Sequence, residues 1–180
     1  STVGAAELIC EHVLVLLGSG PVHLGPEIDW HRDFKSGYRW DPKTFYTDIP
    51  YGHVAGVDVK VPWELSRGQH LPVLAQAYLF TGDERYAREA VAQIRHWLAA
   101  NPPQFGVNWA CPMDVALRAV NWLWTAGLLG DALAPQGHGL FAIDEDRRCG
   151  SLAGAGQADA DVGVLALAGA VDDAAHDRQR

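Results

Sequence analysis

The sequence lacks the features that a membrane protein, a disulfide-stabilised protein or a nucleic-acid-binding protein requires. Its longest apolar runs are far shorter than the roughly 20 residues of a membrane span, and its start shows no secretory leader. The three cysteines, Cys10, Cys111 and Cys149, fit neither a disulfide framework nor a zinc pattern, so we expect free thiols. A formal net charge of -8 argues against nucleic acid. We therefore expect neither nucleic acid nor membrane as a partner.

Aromatic residues are almost absent from residues 131–180. All seven tryptophans and all five tyrosines precede this segment, which is rich in Ala, Gly and Asp and contains one aromatic residue, Phe141. Such a composition buries little apolar area, so we expect a weakly ordered tail. A genuine flexible tail and a shifted reading frame near Pro135 both explain the change. The sequence thus divides into a body at 1–130 and a low-complexity tail at 131–180.

The body is predicted to be all-α. Apolar periodicity and breaker residues predict four helical regions and no convincing strand pair. Between the first and second of these regions, residues 22–61 show no sustained apolar period, which predicts a long irregular loop. Paired helices joined by Thr81-Gly82-Asp83 suggest stacked αα-hairpins, as in an open solenoid or a closed toroid. The predicted helices cover 5–17, 62–81 with a break at Pro72, 83–100, and 112 to about 129.

A narrow polar stripe runs along the last predicted helix. Asp114, Arg118, Asn121 and Thr125 lie at helical spacing on one face of an otherwise apolar segment. One interpretation is a solvent-facing stripe with an Asp–Arg pair. The other turns the stripe into a cleft, where Arg suits carboxylate or sulfate and Asn suits sugar hydroxyls. Asn108-Trp109 precedes the helix and adds an indole for a pyranose ring.

The stretch PWELSRGQH repeats this chemistry at residues 62–70. Trp63, Arg67 and His70 share a helical face, with Glu64 beside them. The alternative is a capped amphipathic helix in which Glu64 and Arg67 pair locally. Elsewhere, His31 lies within Asp29-Trp-His-Arg-Asp33, but two carboxylates and one His in a loop are common without a metal. We predict no metal and no cofactor.

Three strings in order resemble the N-terminal helical domain of the heparinase II/III-like polysaccharide lyases. They are IDWHRDFKSGYRWDPKTFY, DVKVPWELSRGQHLPVLAQAYLFTGDERYA and NPPQFGVNWACPMDVALRAVNWLW. The resemblance covers about residues 5–130. It implies part of an α/α toroid that a β-sandwich domain follows in the parent protein. It also implies β-elimination on uronic-acid glycans, either heparin- or heparan-sulfate-like chains or exopolysaccharides, and several members of the family act in the periplasm.

The resemblance assigns no catalytic residue to this chain. In the family, the catalytic Asn, Tyr and His groups lie further along the protein than the part that this chain resembles. The chain alone is therefore expected to be inactive. The alternative is a non-catalytic helical module that binds glycan or protein. The expected ligand is an anionic polysaccharide, and Arg118 either contacts it or supports the cleft through an ion pair with Asp114 or Glu64. The candidate binding residues are Trp63, Glu64, Arg67, His70, Asn108, Trp109, Asp114, Arg118 and Asn121.

Overall fold

The computed structural model describes residues 1–130, which form a mainly helical body. The predictions for residues 131–180 lie outside the described residues. None of the helices within 1–130 is long and apolar enough to cross a membrane. In chain order the elements are α1 (Thr2–Cys10), β1 (Val13–Val15), β2 (Pro21–His23), a 3-10 turn (Tyr46–Asp48), α2 (Lys60–Ser66), α3 (Leu71–Thr81), α4 (Glu84–Ala100), a second 3-10 turn (Val107–Trp109) and α5 (Pro112–Leu129).

The N-terminal region differs from the sequence prediction. The helix predicted over 5–17 is wrong, because α1 ends at Cys10 and His12 then adopts a left-handed conformation with φ of 54°. The prediction that the body contains no strand pair is also wrong. β1 and β2 form an antiparallel hairpin in which Val13 pairs with His23. The β-branched residues of β1 favour extended backbone, which outweighs the apolar periodicity that suggested a continuing helix.

The hairpin of α3 and α4 is confirmed. Gly82 ends α3 in the left-handed conformation at φ of 71°, and the side chain of Asp83 caps α4 by accepting a 2.9 Å hydrogen bond from the backbone N–H of Arg85. The predicted break at Pro72 is confirmed as well, since α3 begins at Leu71. On α4, the predicted apolar face is buried, and it consists of Tyr86, Ala90, Ile94 and Trp97.

The long loop is irregular, as predicted, apart from its two ends, which belong to β2 and α2, and the short 3-10 turn Tyr46–Asp48. Hydrogen bonds attach it to itself and to the body. The indole of Trp40 donates to the carbonyl of Pro50 at 2.7 Å, and the backbone N–H of Gly106 donates to the carbonyl of Thr44 at 2.8 Å. The loop therefore encloses a second small core that includes Trp40 and Val107, close to the start of α5.

Helix α5 buries most of its polar stripe together with Val115, Trp122 and Leu129, and it exposes a second, apolar side. Asp114, Arg118 and Thr125 have no exposed surface. The interpretation of the stripe as solvent-facing is therefore wrong. The exposed side is apolar instead, with Leu123 62% and Trp124 54% exposed. The polar groups inside α5 thus serve the contacts between elements, and the apolar side is left without a partner among residues 1–130.

The turn between α3 and α4 provides a test of the fold. Replacement of Gly82 by Ala places a Cβ in the left-handed region, so we expect a loss of about 1–2 kcal/mol in unfolding free energy. The control is Gly127→Ala inside α5, where nothing lies within 4 Å of the added Cβ. Removal of a helical glycine there should raise the free energy by about 0.5–1 kcal/mol. Chemical denaturation measures both, and an unchanged Gly82→Ala midpoint would argue against this cap.

Candidate functional site

All the candidate residues except His70 lie where α2, the 3-10 turn Val107–Trp109 and α5 meet, which we call the α2–α5 junction. The indole of Trp63 on α2 donates a 2.8 Å hydrogen bond to the carbonyl of Val107. About one helical turn further along the chain, Arg67 bonds Asp114 on α5. Residues 63–67 and 107–118 therefore lie on the same side of the body, in direct contact.

Arg118 occupies the centre of the junction. Its guanidinium donates to the carbonyl of Ser66 at 2.8 Å and to the carbonyl of Asn108 at 2.7 Å. It also lies 4.0 Å from the ring centre of Trp97 and 5.6 Å from that of Trp109, a cation–π arrangement. Burial lowers the pKa of Arg118 to about 9, against the opposing effect of the Asp114 charge. The group therefore remains a cation at neutral pH.

Two side chains of α5 cap the end of α2. The last carbonyls of a helix have no partner within the helix and need one elsewhere. Arg118 binds the carbonyl of Ser66, and the amide of Asn121 donates to the carbonyl of Arg67 at 2.9 Å. Two members of the polar stripe thus donate to backbone carbonyls at the end of a neighbouring helix. Asp114 instead accepts from Arg67, and the hydroxyl of Thr125 donates to the carbonyl of Asn121 in its own helix.

Asn108 connects the junction to the long loop and to α4. Its buried amide nitrogen donates to the carbonyl of Trp30 and to the side-chain oxygen of Asn101, both at 2.8 Å. Asn101 in turn donates to the carbonyl of Trp97 at 2.8 Å. These bonds fix the irregular segment before α5 on the last turn of α4.

One charged triad joins α2 to α5. Arg67 bonds Asp114 through Nε at 2.5 Å and forms a close ion pair with Glu64 through Nη1. Burial lowers the pKa of Arg67, but its hydrogen bond with Asp114 and the nearby carboxylates outweigh this effect and raise the pKa. Asp114 is fully buried, whereas the Arg67 and Glu64 side chains are 19% and 18% exposed. Solvent therefore reaches this triad from the side of α2.

The nine candidate residues divide into three groups. Asn108, Trp109, Asp114 and Arg118 are buried in the packed interior. Trp63, Glu64, Arg67 and Asn121 are partly buried at its edge. His70 faces α4 instead, where its Nε2 lies 2.7 Å from the side-chain oxygen of Gln93. Within residues 1–130, Arg118 pairs with neither Asp114 nor Glu64, since both carboxylates bind Arg67. The role of these nine residues in binding stays a prediction.

Several residues of the junction were not identified from the sequence. Ser66 accepts a 3.1 Å hydrogen bond from the indole of Trp97 and offers its carbonyl to Arg118. Asn101 suggested only the end of a helix, because Pro102 follows it. No local pattern marks Ser66, since its partners lie 31 and 52 positions away in the chain. The partners of Asn101 lie four and seven positions away, but the second meets it only through the irregular turn before α5.

The described residues contain no cluster of three or more His, Cys, Asp or Glu side chains that could hold a metal ion. His31, considered above as a metal ligand, uses Nε2 to bind the carbonyl of Ala100 at 3.0 Å. Burial lowers the pKa of His31, against a smaller opposing effect of this hydrogen bond. Its ring therefore serves to attach the long loop to the end of α4.

The triad allows a comparison of its two carboxylates. Asp114→Asn leaves the buried end of Arg67 without its charged partner, so we expect a loss of about 2–3 kcal/mol in unfolding free energy. Glu64→Gln is the matched control at the exposed end, where we expect about 1 kcal/mol or less. Urea denaturation of both variants measures the difference. Equal losses would show that burial does not set the strength of these pairs.

His70 gives the chain a dependence on pH. Burial lowers the pKa of His70 to about 4, although the hydrogen bond with Gln93 acts to raise it. The unfolded chain therefore binds more protons than the folded chain between about pH 6.5 and 4. Stability that is complete above that window should be lost as the pH falls through it. In His70→Gln this pH-dependent part of the stability should disappear. The melting temperatures of the unmodified chain and the variant, measured from pH 7 to 4, should therefore converge at low pH. A constant difference between them across this range would contradict the assignment to His70.

Comparison with known proteins identifies the family. The family model Heparinase II/III N-terminus matches residues 8–124. No curated protein and no solved structure gave a match. The matched range includes α2, α3 and α4 and every candidate residue of the junction. The chain belongs to the heparinase II/III N-terminal family.

Proposed function

We propose that this chain is the N-terminal part of a polysaccharide lyase that cleaves uronic-acid-containing glycans by β-elimination. The family match over residues 8–124 carries the proposal. In this reaction a base removes the proton at C5 of the uronate, and an acid protonates the departing 4-oxygen. Groups that stabilise the carboxylate lower the barrier further. We assign none of these roles to a residue of this chain.

The α2–α5 junction supports a role in shaping a glycan-binding surface. Its buried half, centred on Arg118, holds α2 and α5 in a fixed relation. Its partly exposed half presents Trp63, which packs edge-on against the exposed ring of Tyr51, beside the accessible side of Arg67. An indole suits the face of a pyranose ring, and a guanidinium suits carboxylate or sulfate.

The exposed side of α5 supports the further proposal of a toroid. Residues Met113, Val120, Leu123 and Trp124 each expose more than half of their surface. A contiguous apolar face of this kind is uncommon on a complete soluble domain. Helix α3 packs against α4 and α5, and another helix pair packed on α5 in the same way would continue the stack. We propose that the parent protein supplies it.

A non-catalytic module that binds glycan or protein is the second candidate. The open apolar face of α5 favours it, because such a face also suits a protein partner. The two candidates predict different gene sequences. If the reading frames beyond the codon of Pro135 contain the expected helices and β-sandwich, the parent is a lyase. If no frame contains them, the module is the better description.

Activity of the isolated chain is a direct test. We expect no turnover by the purified 180-residue chain on uronic-acid polysaccharides, because it carries no assigned acid or base. The assay follows the absorbance of the unsaturated uronate product. The positive control is any characterised lyase on the same substrates. Clear turnover by the chain would refute its inactivity and place a base within this sequence.

Binding is predicted to depend on Glu64. The triad of Glu64, Arg67 and Asp114 carries a formal net charge of -1, so an anionic sugar reaches Arg67 only in competition with Glu64. Glu64→Gln should therefore tighten binding of a uronate oligosaccharide by about three- to tenfold at low salt, which corresponds to about 0.6–1.4 kcal/mol. Isothermal titration measures the change.

The matched control for this binding test is Glu84→Gln. Glu84 also pairs with an arginine, Arg88, but it is 65% exposed and lies at the start of α4, away from the junction. Its replacement should leave the affinity unchanged. If both variants tighten binding equally, the effect reflects net charge alone and the junction is not the binding surface.

A further inference from the structure

A small cavity lies beside the junction, between the corner of α2 and α3 and the inner faces of α4 and α5. It has about 10 Å³ of space for the centre of a water-sized molecule, enough for one water. The cavity is independent of the surface proposed for glycan binding. Its lining includes Trp30, Ser66, His70, Gln93, Trp97 and Trp122.

The indole of Trp122 carries a donor without an acceptor among residues 1–130. Trp122 is 3% exposed, and a Cβ placed on Gly68, which also lines the cavity, would lie 3.2 Å from its Nε1. The other two indoles that line the cavity have acceptors, namely His96 for Trp30 and Ser66 for Trp97. An N–H on a buried side chain gains stability from a partner, so an acceptor inside the cavity would stabilise this group.

His70, which is partly exposed, lines the same cavity and supplies an acceptor. The amide nitrogen of Gln93 donates to Glu89 at 2.7 Å, so the amide oxygen of Gln93 faces His70. The ring Nε2 of His70 must therefore carry the hydrogen in this 2.7 Å contact. In a neutral imidazole the remaining nitrogen, Nδ1, is then an acceptor. The low pKa of about 4 that burial gives His70 is consistent with a neutral ring.

We propose that this cavity is the binding site of one internal water molecule that links α5 to the start of α3. The water accepts the indole N–H of Trp122 and donates to Nδ1 of His70, and the hydroxyl of Ser66 provides a third partner. This set meets the two to four polar partners that an ordered buried water needs. The N–H of Trp122 would repel a cation, and the lone pair of His70 would repel an anion. Neither kind of ion therefore suits the site.

The test uses the full 180-residue chain labelled with 15N and measures cross-peaks between water and the indole N–H groups by NMR. We expect a cross-peak for Trp122 whose sign in the laboratory frame marks a water that stays bound for longer than molecular tumbling. Trp63 and Trp97 are internal controls, because their N–H groups bind Val107 and Ser66. No cross-peak at Trp122 would overturn the proposal, and so would an equal cross-peak at Trp97, which would trace the signal to the hydroxyl of Ser66.

A second measurement does not depend on the water signal. The 15N shifts of the His70 ring should identify Nε2 as the protonated nitrogen and Nδ1 as a hydrogen-bonded acceptor at pH 7. A ring protonated at Nδ1 would remove the acceptor and overturn the proposal. Trp122→Phe serves to assign the indole signal by its disappearance. If that variant does not fold, sequential assignment of the unmodified chain replaces it.

Discussion

The buried guanidinium of Arg118 is the interaction on which the rest of the described structure depends. A cation without exposed surface is costly to place in a protein interior. Here two backbone carbonyls, the ring of Trp97 and the charge of Asp114 one turn away replace part of the lost hydration, while Nη1 has no hydrogen-bond partner among residues 1–130. The carbonyls belong to the end of α2 and to the turn before α5. One side chain therefore joins three segments that share no strand or helix hydrogen bonds.

The same arrangement explains why polar side chains of α5 lie among indoles of other elements. Arg118 and Asn121 face neighbouring backbone that is irregular or at a helix end, where carbonyls need donors. The indoles of Trp97 and Trp109 enclose the cation and exclude water from it. The opposite side of α5 is apolar and exposed within residues 1–130. The buried contacts at the junction and this exposed apolar side both follow from the orientation of a single helix.

The sequence predicted the helical elements well where local signals decide the outcome. Gly82 and Asp83 mark the α3–α4 turn through their own backbone and capping preferences, and the apolar period of α4 identifies its buried face. The orientation of α5 could not be predicted, since it depends on which partners meet the stripe. Ser66 gains its role only from distant residues, and Asn101 gains its role from the irregular turn that brings Asn108 to it. The hairpin at Val13 was missed because apolar strands and helices look alike over short runs.

The most direct test of the role of Arg118 is the unfolding free energy of Arg118→Ala and Arg118→Lys, measured alongside binding of a uronate oligosaccharide. If Arg118 is the internal support described above, Ala should cost about 3–5 kcal/mol, since it leaves two buried carbonyls unpaired and a cavity between the indoles. Lys should recover only part of this loss, because an ammonium cannot bind both carbonyls and stack on Trp97. Unchanged unfolding of Arg118→Ala together with weakened glycan binding would instead make Arg118 a ligand contact.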